Sequence, residues 1–110
     1  MERMKAANAL LTYYLKLYNQ KYNKQPTINR YKEKYAMADV FDSIGYDRGK
    51  ALLDYYFRLN KPGHPLQFFL YNFDRMDEVV KELDKDKQAR AKLLRETAAR
   101  VKEFEATHER

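Results

Sequence analysis

The last 45 residues of the chain, positions 66–110, contain neither glycine nor proline. Nothing in that stretch forces the backbone out of a helix, because the two residues that break helices most strongly are missing. The whole chain of 110 residues has three glycines and three prolines. They fall at Pro26, at Gly45 and Gly49, and in Pro62-Gly63-His64-Pro65. Between these breaks the apolar residues recur at steps of three and four, not two, so the expected fold is all-α. A compact bundle of four to five helices with a long C-terminal helix accommodates the breaks.

The first helix is expected over residues 2–22, with Met4, Ala7, Leu11, Tyr14, Leu15, Tyr18 and Tyr22 on one face. Pro26 disfavours helical geometry at Gln25 and so closes it. A short helix over 28–35 with Thr27 as its cap, and another over 37–44 ending at Gly45, are expected next. Asp47 is placed to cap a helix over 48–59, whose apolar groups point in most directions, so it should be the most enclosed. Asn60-Lys61-Pro62-Gly63 reads as a turn, and Pro65 suits the first position of the last helix. There the core stripe is Leu66, Phe69, Leu70, Phe73, Met76, Val80 and Leu83. Beyond Leu83 the stripe fails, then resumes at Leu93, Leu94, Val101 and Phe104.

Of the sixteen tyrosines and phenylalanines, all but Phe104 lie at or before Phe73. Residues 1–76 therefore read as an aromatic-rich helical domain, and 77–110 as a charged amphipathic helix extending it. The positive charge is confined just as sharply. The net charge is +6. Residues 1–35 hold eight basic and two acidic side chains, whereas 36–76 and 77–110 are each balanced. Such asymmetry points to an anionic partner met by one face.

The composition also excludes chemistry. There is no Cys, one Ser (Ser43) and two His (His64, His108), and no glycine-rich phosphate loop. Catalysis is not expected, and neither is a cofactor. Asp39, Asp42 and Asp47 lack the further ligands of a calcium loop, so capping and solvation are their expected uses and no metal is assigned. His64 reads as a turn residue. No apolar run reaches the length of a membrane span, and no apolar signal segment opens the chain, so a cytoplasmic protein without membrane partners is expected.

The constellation that carries function is the basic, tyrosine-rich stretch over 16–34. Lys and Arg neutralise phosphates, Tyr stacks on unpaired bases, and Asn and Gln bond base edges or phosphates. Lys16, Lys21, Tyr22, Lys24, Arg30, Tyr31, Lys32 and Lys34 are the residues expected to meet DNA or RNA. Tyr18, Tyr22, Tyr31 and Tyr35 have an equally direct use as core residues at helical spacing. Residues 37–53 partly match a helix-turn-helix through Ile44-Gly45-Tyr46. However, Phe41 stands where that motif wants a small residue, and an ordinary helical corner is the simpler expectation. Leu93, Leu94, Val101 and Phe104 are the expected partner-binding stripe, for a second copy of the chain or for a protein such as a polymerase or helicase.

Four segments in order carry a resemblance: Tyr14…Tyr22-Asn23-Lys24-Gln25-Pro26, Asp42-Ser43-Ile44-Gly45-Tyr46, Leu52-Leu53-Asp54-Tyr55-Tyr56-Phe57 and His64-Pro65-Leu66-Gln67-Phe68-Phe69. Over residues 13–76 the chain resembles the small helical modules of phage-encoded replication accessory and initiator proteins. Asn23 stands where that pattern has Gly. The resemblance implies a phage protein of DNA metabolism or transcription, working in the bacterial cytoplasm, and no catalytic residue. Two functions are thus expected from the sequence: a non-enzymatic nucleic-acid-binding accessory protein, or an adaptor that docks on a polymerase or helicase through its C-terminal helix.

Overall fold

The computed structural model describes residues 2–108, and the side chains of residues 2–102. Among the described residues there are four helices and no strand: α1 (Arg3–Tyr22), α2 (Arg30–Ile44), α3 (Tyr46–Arg58) and α4 (Leu66–His108). The chain divides into two units, Met1–Asp77 and Glu78–Arg110. The first contains α1, α2, α3 and the beginning of α4. Its helices alternate in direction, as their cross-links show. Arg3 at the start of α1 meets Asp39 and Asp42 late in α2, Tyr13 of α1 meets Asp54 of α3, and Arg48 early in α3 meets Asp77 of α4. The second unit is one helix, with every residue from Lys81 to Lys102 exposed.

The first helix ends after Tyr22 as expected, whereas later boundaries differ from the expectation, each for a local reason. α1 ends at Asn23, which adopts the left-handed conformation (φ 56°, ψ 36°) and donates its N–H to Asn19 O at 2.8 Å. Asn tolerates that geometry and satisfies an orphan carbonyl, so the helix stops three residues before Pro26. The two short helices expected over 28–35 and 37–44 are one helix. Asn29, not Thr27, caps it: its side chain and its carbonyl accept from Lys32 N, and its carbonyl accepts again from Glu33 N. No breaker lies between Arg30 and Ile44 to divide it. α3 starts from Gly45, and Asp47 sits inside its first turn, where it complements the helix dipole without capping. The core stripe of α4 ends at Met76, not Leu83, which is 53% exposed.

The core is built from Ala6, Ala7, Leu10, Leu11 and Tyr14 of α1, Met37, Ala38 and Val40 of α2, Leu52, Leu53 and Tyr56 of α3, and Leu66 and Phe69 of α4. Burying each large side chain is worth about 1.5–3 kcal/mol. Gly49 has a packing reason to be glycine within a helix. A Cβ there would stand 3.1 and 3.2 Å from the two terminal carbons of Leu10.

The chain between α3 and α4 is held from several sides. His64 N donates to Lys61 O at 3.1 Å across Pro62 and Gly63, with Gly63 at the positive φ such a turn needs. His64 itself is 1% exposed and has φ 38°. Its Nε2 lies 2.8 Å from Leu59 O, which can only accept, so Nε2 carries the proton. In the neutral ring Nδ1 then accepts from Tyr22 OH. Tyr14 OH donates to His64 O, and Tyr56 OH donates to Pro65 O, both at 2.7 Å. The imidazole also stacks on Phe57, with centroids 4.8 Å apart.

Two predictions follow from this packing. His64→Ala removes two hydrogen bonds and leaves Leu59 O without its partner, so it should lower unfolding stability by about 2–4 kcal/mol in urea titrations. Alkaline stability is the second. Burial raises the pKa of Tyr14 and of Tyr56, and the hydrogen bond to Asp54, with burial second, raises Tyr13 to about 12. A phenol whose folded pKa exceeds its unfolded value stabilises the fold fully below the unfolded pKa, near 10, and the contribution disappears as pH rises through the folded pKa. Unfolding stability should therefore decline from pH 10 towards 12, and Tyr13→Phe should flatten the decline.

Candidate nucleic-acid interface

The eight residues expected to meet nucleic acid separate into two groups. Three are engaged within the fold. Tyr22 is half-buried and donates to His64. Lys21 Nζ donates to Phe57 O at 3.0 Å, satisfying a carbonyl in the last turn of α3 where a cation also suits the dipole. Arg30 reaches across to α1, donating to Asn8 O at 3.1 Å and Thr12 Oγ1 at 3.0 Å. These residues position helices; in sequence Tyr22 is marked by its place on the Tyr14–Tyr18 face, whereas nothing distinguishes Lys21 and Arg30 from their neighbours.

The remaining five, Lys16, Lys24, Tyr31, Lys32 and Lys34, lie at the surface, Lys34 half-buried and the rest exposed. The structure brings Tyr31 and Lys34 together with a residue outside the expected set, Tyr35. All three share the outer face of α2, since residues three and four apart are neighbours on a helix. Lys34 Nζ stands 4.6 Å from the centre of the Tyr31 ring and 5.3 Å from that of Tyr35. The rings are 80% and 58% exposed. A shallow groove beside them is lined by Asn8, Arg30, Tyr31 and Lys34. Across it, Lys5, Asn8, Thr12 and Lys16 of α1 form an exposed polar stripe at three- and four-residue steps. Tyr35 is one step of four from Tyr31, and that spacing was the available signal for including it.

This surface has a defined chemistry. Two aromatic faces are open to solvent and held by a cation between them, with further cations alongside. The cation–π contacts orient the rings at modest cost.

Other constellations take structural places. Asp39 and Asp42 both accept from Arg3, at 3.0 and 2.7 Å, and the hydrogen bond to Asp42 raises the pKa of the guanidinium. Among the described residues no cluster of three or more His, Asp or Glu is placed to hold a metal ion. The Ile44-Gly45-Tyr46 junction is a helical corner. Of the two cations of α3 that could read a groove, Arg48 is bonded to Asp77, and Lys50 lies 4.8 Å from the Tyr13 ring centre. In the second unit Leu93, Leu94 and Val101 are exposed, whereas the side chain of Phe104 lies outside the described residues. No described helix is long and apolar enough to cross a membrane. Comparison with family models, with curated proteins and with solved structures finds no match.

The division of the basic stretch has a direct test. Tyr31→Ala and Tyr35→Ala should change stability by no more than about 0.5 kcal/mol, as surface substitutions do. Tyr22→Phe leaves His64 Nδ1 without its donor and should cost about 1–3 kcal/mol. Thermal unfolding of the three variants measures both.

Proposed function

We propose that this chain is a non-enzymatic nucleic-acid-binding protein that uses the outer face of α2 and the adjoining stripe of α1. The observation that carries the reading is Lys34 held between the exposed rings of Tyr31 and Tyr35. A tyrosine left mostly in water forgoes the burial that the core aromatics and aliphatics of this unit obtain, so a retained pair of exposed rings suits a surface completed by a ligand. Bases supply flat apolar faces to such rings, and phosphates supply charge to Lys16, Lys24, Lys32 and Lys34. Open rings favour unpaired bases, so single strands are the preferred form. The resemblance over residues 13–76 supports placing the protein among phage accessory factors of DNA replication or transcription.

Fluorescence anisotropy with labelled oligonucleotides tests this. Binding should be strong at low salt and fall steeply as salt rises, because each neutralised phosphate releases counterions. Lys32→Glu and Lys34→Glu should weaken all sequences alike. Tyr31→Ala and Tyr35→Ala should weaken single strands more than duplex, by about 1–3 kcal/mol per stacked base. Absence of binding at low salt would overturn the proposal. Recovery of a polymerase or helicase from nuclease-treated lysate, without oligonucleotide binding, would establish the adaptor in its place.

A further inference from the structure

The structure assigns a second binding site to the first unit, independent of nucleic acid: a pocket around the Glu33 carboxylate that takes a primary ammonium group on a small apolar body. The pocket lies between α1, the connection over Pro26–Asn29, and the starts of α2 and α4, and its volume is about 330 Å³. That is the lower end of the range in which proteins enclose small ligands. Tyr14 and Tyr18 of α1 and Pro26 and Ile28 of the connection supply its apolar surface.

Glu33 gives the pocket its chemistry. The dipole of α2 favours an acid in its first turn, but an acid in open water would serve the dipole as well, and Glu33 is only 8% exposed. A carboxylate at that depth is costly unless it is paired. Gln67 Nε2 donates to its Oε1 at 2.6 Å. Among the described residues no cation pairs with it, and Oε2 accepts no hydrogen bond. No buried side-chain oxygen of the described residues is without a partner, so Oε2 opens onto the accessible space that Glu33 lines. The Tyr18 hydroxyl, likewise unbonded within the fold, does the same.

These groups define the ligand. No Lys, Arg or His lines the pocket, so an anion finds nothing to meet it. A carboxylate bonds a charged donor more strongly than a neutral one. An ammonium group carries three N–H donors: Glu33 Oε2 takes the first, the Tyr18 oxygen a second, and the carbonyl oxygen of Gln67 a third. The apolar remainder of the ligand then lies against Ile28 and the tyrosines, whose ring faces also attract a cation. A divalent metal ion fits less well, because it needs several oxygen ligands and no cluster of three or more His, Asp or Glu exists among the described residues.

Titration of the isotope-labelled full chain with phenethylamine hydrochloride, followed by NMR, tests the inference. Saturable shifts should be confined to the pocket segments of α1, Pro26–Asn29, α2 and α4. Phenylpropionate, which carries the same ring on an anion, should produce none. That comparison uses the wild type alone and depends on no variant. Glu33→Gln keeps an acceptor for Gln67 and removes the charge, and it should weaken phenethylamine binding at least about tenfold. Ile28→Trp fills the pocket and should abolish binding with the carboxylate in place. Absence of saturable shifts up to about 10 mM amine would overturn the inference. So would equal binding of phenylpropionate, shifts centred elsewhere, or a folded Glu33→Gln variant that binds as the wild type does.

Discussion

The first unit depends on how the chain is held between α3 and α4. At that point the imidazole of His64 joins the end of α1 to the end of α3, through Tyr22 and the Leu59 carbonyl. Two more tyrosines, Tyr14 and Tyr56, bond the carbonyls of His64 and Pro65. Three phenols from two helices thereby satisfy a connection whose buried backbone would otherwise lack partners. The bonds span 42 and 50 residues along the chain for Tyr22 and Tyr14. They can form only when α1 already lies beside α3, so this arrangement rewards the assembled unit and no smaller part of it. Phe57 and Tyr56 enclose the ring and exclude water from the same bonds.

The basic excess of the first third serves two purposes. Arg3, Lys21 and Arg30 each bridge α1 to another helix. Each uses the long, flexible side chain as a reach and the charge as a donor, in a place where a carbonyl or carboxylate needs one. Of the cations without such a bridge, Lys34 lies between the rings of Tyr31 and Tyr35. Charge that seemed a single feature of composition is therefore part framework and part surface.

Fold class and the number of long helices were legible in the residues, because the breaks at Pro26, Gly45 and Pro62-Gly63 separate stretches of helical period. Helix ends were less so. Asn23 and Asn29 are ordinary polar residues until the backbone geometry shows one in the left-handed conformation and the other accepting from Lys32. His64 was legible as a turn residue, but its bonds to Tyr22 and Tyr14 left no local trace, since those partners lie 42 and 50 residues away. Tyr22 and Tyr31 illustrate the same limit. Both stand among lysines and asparagines, but Tyr22 continues the Tyr14–Tyr18 stripe of α1, whereas Tyr31 lies off the buried stripe of Glu33, Met37 and Val40 in α2. Leu83 shows the converse: apolar periodicity marks a face, not the presence of something to cover it.

Gly49 sets a limit on motion. The forked end of Leu10 fills the space where a side chain of α3 would begin. A screw of α3 against α1 by a single residue, about 1.5 Å along the axis and about 100° around it, would bring Arg48 or Lys50 to that fork. Neither has a small enough first carbon to fit. The pair α1–α3 is keyed like a pin in a notch, so this contact fixes the rotational setting of α3 against α1 as well as their spacing.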